Sequence, residues 1–200
     1  MIRQNENLGA VRRFAQTCSY EQQHSEQVAL LAGRLFDLLK PVHGISVEQK
    51  WLLTAAALLH DIGWMQGQSK HHKMAMNMIL SDKTMPLEPQ DRNLIALIAR
   101  YHRKALPNES HPIYGQLSAG QKRMVDVLGG ILRLADGLDR SHTSAIERLD
   151  VEIAAGSIDV LCFGSQSVSE EIQYGRKKAD LLEQSLKVKI RVTCRDEGRK

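Results

Sequence analysis

Several polar side chains stand where a helix should turn an apolar residue inward. His24 shares the stripe of Val28, Leu31 and Leu35 in HSEQVALLAGRLFDLLK, and His60 and Asp61 close the apolar run of WLLTAAALLHDIGW. His102 follows Ile98 in QDRNLIALIARYHRK, and Asp136 follows Val125, Leu128 and Leu132 in SAGQKRMVDVLGGILRLADGLDRSH. One buried histidine is explained by a hydrogen bond to a carbonyl. A buried carboxylate is harder to accommodate, because an unpartnered charge is expensive away from water. Neutral imidazoles and carboxylates arriving from separate helices are together the donor set of a divalent cation: Mn, Mg, Co, Fe or Zn. His60 and Asp61 lie about 100° apart on a helix, but at its end both can converge on one ion.

The elements that position these groups can be read from the apolar period. From about residue 8 to 140 it is helical. Pro41 to Gly44 ends one helix. Ser46, with Gln49 three residues on, reads as a capping box for the next, which Gly63 is placed to end. HHKMAMNMIL is a further helix, and Ser118 caps a long one. Near Leu149 the period changes to alternation. RLDVEIAAGSIDVLCF reads as a hairpin, SVSEEIQYGRKKADLLEQSL as a helix and KVKIRVTC as a strand. The expected fold is therefore mainly α, a helical bundle over residues 1–145. A small α/β (ββαβ) appendage spans 146–194, and a polar tail spans 195–200.

The order His24, then His60-Asp61 in LLHDIG, then Asp136 in LRLADGLD resembles the HD superfamily of metal-dependent phosphohydrolases. More closely, HSEQVALLAGRLFD, AAALLHDIGW, ARYHRKA, ILRLADGLDRSH and RKKADLLE resemble the C-terminal HD region of the Ppx/GppA (exopolyphosphatase/guanosine pentaphosphatase) family. The resemblance implies an HD-type bundle in which His24, His60, Asp61 and Asp136 bind the metal. Members of that family carry an N-terminal actin-like phosphatase module. No phosphate loop of its kind precedes the helical region, so its chemistry is not carried over. The chain also reads HHKM where relatives have HHKH, so Met74 replaces a histidine that two-metal HD enzymes use. Met is a poor ligand for hard divalent ions. A second ion then depends on His71, His72 or His102.

The function that follows is hydrolysis of a nucleotide or other small phosphorylated compound by metal-activated water. Asp61 is the candidate to orient or deprotonate the water. His102 either protonates the leaving oxygen or joins a second metal. Phosphate needs cations nearby, and the candidates are Lys104, Arg140, Arg103 and Arg133. The alternative is a non-catalytic HD-like module that binds polyphosphate, a nucleotide or a protein partner.

Bulk composition bounds these readings. The chain has 200 residues, 42% hydrophobic and 25% charged, a globular balance. The formal charge of +4 comes without a basic block interleaved with aromatics, which argues against nucleic acid. No apolar run is of membrane-spanning length, and MIRQNENLGAVRRFAQ has no signal core, so a cytoplasmic address is expected. Cys18, Cys162 and Cys194 lack zinc-site spacing and read as reduced thiols. A homodimer is compatible with all of this.

Overall fold

Ala-rich and Leu-rich segments dictate the centre of the fold. KWLLTAAALL forms α4 (Lys50–Leu59), whose Leu52, Leu53, Leu58 and Leu59 are all fully buried. Each such leucine contributes about 1.5–3 kcal/mol. That is enough to draw the polar residues that follow into the interior. The computed structural model describes residues 2–64, 71–164 and 167–195. Before α4 come α1 (Ile2–Thr17), α2 (Gln22–Leu38), α3 (Lys40–His43) and a 3-10 turn at Val47–Gln49. After it come α5 (His71–Ser81), α6 (Pro89–Arg100), α7 (Pro112–Gly115) and α8 (Ala119–Gly137). Helix α2 packs on α4 and α8, and α6 packs on α4, α5 and α8. No helix among the described residues is long and apolar enough to cross a membrane.

The long helix α8 is the axis. Ser118 accepts from the Gln121 amide while the Gln121 side chain accepts from the Ser118 amide, a complete capping box. Every residue from Val127 to Gly137 is buried. Such a helix must be covered on all sides, and the C-terminal elements supply the cover. They are the strands β1 (Arg148–Ala154), β2 (Ser157–Phe163) and β3 (Lys189–Cys194), with α9 (Ser169–Lys178) and α10 (Asp180–Leu186) between β2 and β3. β1 and β2 are antiparallel, from Arg148↔Phe163 to Ala154↔Ser157, and Gly156 supplies the left-handed turn at φ +77°. β3 runs parallel to β2, from Ser157↔Lys189 to Cys162↔Cys194, giving the order β1-β2-β3. α9 and α10 pack on α8. At Gly130 a Cβ would come within 2.8 Å of the Leu182 backbone. One apolar core runs from Val11 in α1 through α8 to Val192 in β3.

The chain departs from the sequence reading at several places. Helix begins at Ile2 rather than near residue 8. Ser46 makes no cap bond, because its hydroxyl meets the Glu48 carboxylate and the turn is 3-10. α6 stops at Arg100, so His102 lies just beyond the helix. The single helix expected between the hairpin and the last strand is broken at Ala179, giving ββααβ instead of ββαβ.

Candidate metal centre

Five separate elements deliver their ends to one place. His24 comes from the first turn of α2, and His60 caps the C-terminus of α4 with Asp61 next in the chain. His71 opens α5, His102 follows α6, and Asp136 occupies the last turn of α8. Their ligand atoms fall into two groups. In His24, His60 and Asp136 they lie within 4.8 Å of one another, and so they do in Asp61, His71 and His102. His24 Nε2 is 3.6 Å and His60 Nε2 3.8 Å from Asp136 Oδ1. In the second group Asp61 Oδ1 lies 3.1 Å from His71 Nε2 and 3.5 Å from His102 Nε2. Asp61 Oδ2 faces back to His60 Nε2 at 3.8 Å, so Asp61 stands between the groups.

In three of the four rings the other nitrogen is held by a partner. His60 Nδ1 meets the Ala57 carbonyl and His102 Nδ1 the Ala99 carbonyl, both at 2.6 Å. A carbonyl only accepts, so Nδ1 must carry the proton and Nε2 is left with a bare lone pair. His24 Nδ1 is held in the same way by Asp139 Oδ2 at 2.8 Å. The bland role of a buried histidine, a bond to a carbonyl, is thus filled while the ligand atom stays available. His24 Nε2, His60 Nε2 and Asp61 Oδ1 are buried without a hydrogen bond. Such orphaned acceptors, backed by carbonyl and carboxylate partners, are what a divalent cation requires of its ligands.

Electrostatics support the same reading. Burial lowers the His60 pKa and takes that of His102 down to about 3, so both rings are neutral at pH 7. Burial opposes charge on His24 too, but Asp136 and Asp139 outweigh it and raise that pKa to about 9. Asp136 is held well below the carboxylate range, because the Lys178 ammonium and His24 outweigh its burial. Without a cation, a proton on His24 and the ammonium of Lys178 supply the charge that Asp136 needs.

Asp139 and Lys178 are the residues that the sequence reading missed. Asp139 was legible as a second acid three residues after Asp136 on the same face. Lys178 looked like one of three basic residues ending a surface helix, an ordinary pattern. Only the docking of α9 on α8 sets its Nζ on Asp136 Oδ2. The expected phosphate ligands are dispersed. Arg103 Nη1 donates to His71 Nε2 at 2.9 Å and so borders the second group. Lys104 is exposed, in a left-handed conformation at φ 58°. Arg140 lies exposed with its guanidinium 4.8 Å from the Tyr174 ring centre. Arg133 is buried and forks onto Asp180 at 2.6 and 2.9 Å, which ties α8 to α10. Of the histidines weighed against Met74, His71 joins the second group. His72 lies outside both groups, with its ring 6.5 Å from that of His102.

No curated protein matches the chain significantly. The family model for Ppx/GppA phosphatase, domain III, matches residues 6–187, from within α1 to just past α10. That span holds all six residues of the two groups together with Asp139 and Lys178, and the chain belongs to the Ppx/GppA phosphatase domain III family.

Proposed function

We propose that this chain is a metal-dependent phosphohydrolase of the HD type, acting on a small phosphorylated compound. The observation that carries the reading is the convergence of two triads in which His24 Nε2, His60 Nε2 and Asp61 Oδ1 lack hydrogen bonds, while the far nitrogens of His24, His60 and His102 are held. His24, His60 and Asp136 would hold one divalent cation, and Asp61, His71 and His102 a second. A bound cation supplies Lewis acidity toward a phosphoryl oxygen and a water molecule. The chain's own groups do the rest. Asp61 directs one oxygen to each triad, which suits it to accept a hydrogen bond from the attacking water and so orient it. Arg103, beside His71, and Lys178, beside Asp136, can turn their charges to phosphate oxygens. His102 supports ligation rather than acid catalysis, because its only proton at neutral pH is committed to Ala99.

Hydrolysis of a panel of nucleotides, guanosine tetraphosphate and polyphosphate, with Mn²⁺, Mg²⁺ or Co²⁺, tests the proposal. The expected result is hydrolysis of at least one compound that chelation abolishes. Bound metal without hydrolysis of any compound would favour a binding module. Neither metal nor hydrolysis would overturn the reading altogether.

A further inference from the structure

Beside Asp61 lies a cleft of about 200 Å³ lined by Ser19, Tyr20, Glu21, Asp61, Ile62 and Trp64. Aromatics are 4% of the chain, yet two of them face this one space. Trp64 is 43% exposed, although its indole is the largest apolar surface a side chain can offer. It is also braced: its ring packs against the His71 imidazole at 5.0 Å, and its amide donates to the Asp61 carbonyl at 2.9 Å. A large aromatic held rigidly against a candidate ligand, yet left in water, is built to be covered by something else.

The charges decide what covers it. Among the described residues none of the cleft's lining side chains is basic, and two, Glu21 and Asp61, are acids. A chain of phosphates extending from the metal centre would run into the Glu21 carboxylate, the one acid of this lining that lies outside the triads. An uncharged ring would not. Glu21 is fixed by His142 Nδ1 at 2.8 Å, and the His142 ring stacks on His24 at 3.8 Å, so this acceptor is tied to the metal centre. Ser19, left-handed at φ 53°, turns the α1–α2 connection over the same space.

We propose that this cleft binds the alcohol portion of the substrate, and that this portion is a flat, uncharged ring with hydrogen-bond donors on its edge. The ring stacks on Trp64 and its donors meet Glu21. The substrate class is therefore a ring-bearing phosphomonoester such as a nucleoside monophosphate, not inorganic polyphosphate. The inference rests on the phosphohydrolase reading for its phosphate, but the cleft can be tested without turnover.

The test has two arms. In the Trp51→Phe protein, Trp64 is the only indole, and adenosine should quench its fluorescence saturably while ribose does not. In the Mn²⁺-loaded protein, adenosine 5′-monophosphate, glycerol 3-phosphate and tripolyphosphate should be compared; the first two share an alkyl ester bond and differ in the ring. The expected kcat/KM is at least tenfold higher for the nucleotide. That ratio should collapse toward one in Trp64→Ala and recover in Trp64→Phe, which retains a ring. Absence of saturable quenching, with hydrolysis of tripolyphosphate or glycerol phosphate intact, would overturn the ring subsite and leave the phosphohydrolase standing. Saturable quenching without hydrolysis of any compound would do the reverse.

Discussion

A metal-ligating histidine usually has its other nitrogen occupied, and for three of the candidate rings the occupants are specific. Ala57 and Ala99 carbonyls serve His60 and His102, and the Asp139 carboxylate serves His24. Only Asp139 among these can be removed by substitution. Asp139→Ala should weaken Mn²⁺ affinity about 10–100-fold by calorimetric titration, and Asp139→Asn, which still accepts, should lose less. Equal, unchanged affinity in both would mean that His24 is not oriented by this bond. The same groups set a pH dependence for the chelator-treated protein. His24, raised from 6.5 to about 9, contributes stability present below pH 6.5 and lost as the pH climbs to about 9. His102, lowered to about 3, and His72, lowered to about 4, contribute stability present above 6.5 and lost as the pH falls through those values. Thermal melts should therefore peak near pH 6.5 and decline on both sides. Mn²⁺ should lift the alkaline limb, because it takes the place of the His24 proton. A monotonic profile would contradict these shifts.

At the scale of elements, the helices that carry ligands were legible because their apolar stripes are long. His24 on α2 and Asp136 on α8 sit where the helical period placed them. What the period could not give was how helices end. His102 continues the α6 stripe in sequence, yet the chain leaves helical geometry at Tyr101 and delivers the ring from a turn. Ser46 has the letters of a capping box, but its hydroxyl has a nearer acidic partner in Glu48. Gly63 illustrates the limit most clearly. Its place suggested a helix stop, whereas its structural demand is contact: a Cβ there would meet the His71 carbonyl at 2.5 Å and the Ala75 amide at 2.8 Å. Both are α5 backbone atoms and cannot step aside. Gly63→Ala should push α5 outward at a cost of about 1–3 kcal/mol, lowering Tm by several degrees. Because α5 carries His71 and not His24, the second cation should be lost before the first. Metal content and melting temperature of the same sample check both halves.

For the whole molecule, the change from helical period to alternation near Leu149 matches the start of β1 at Arg148, but how tightly the two parts are joined is not written in either period. Joining depends on shape: Gly130 lets α10 approach α8, and Arg133 clamps Asp180 across the same contact. Lys178 then reaches Asp136 from the C-terminal elements. The C-terminal part is thus a wall of the helical core and of the candidate metal centre at once. A chain cut to residues 1–145 should strip α9 and α10 from the α8 face of Gly130, Arg133 and Gly137 and fail to give a cooperative melt. A sharp thermal transition and native helix content in that fragment would show the unit to be separable.

The central claim is that two triads, joined at Asp61, hold divalent cations. Counting bound Mn²⁺ by equilibrium dialysis in the wild type, His60→Ala and His71→Ala tests it most directly. Circular dichroism should confirm that each variant remains folded. The account predicts two ions per wild-type chain and one in His71→Ala, where the His24, His60 and Asp136 group survives. It predicts at most one in His60→Ala. A folded wild type that binds no Mn²⁺, or variants that both bind as the wild type does, would contradict it.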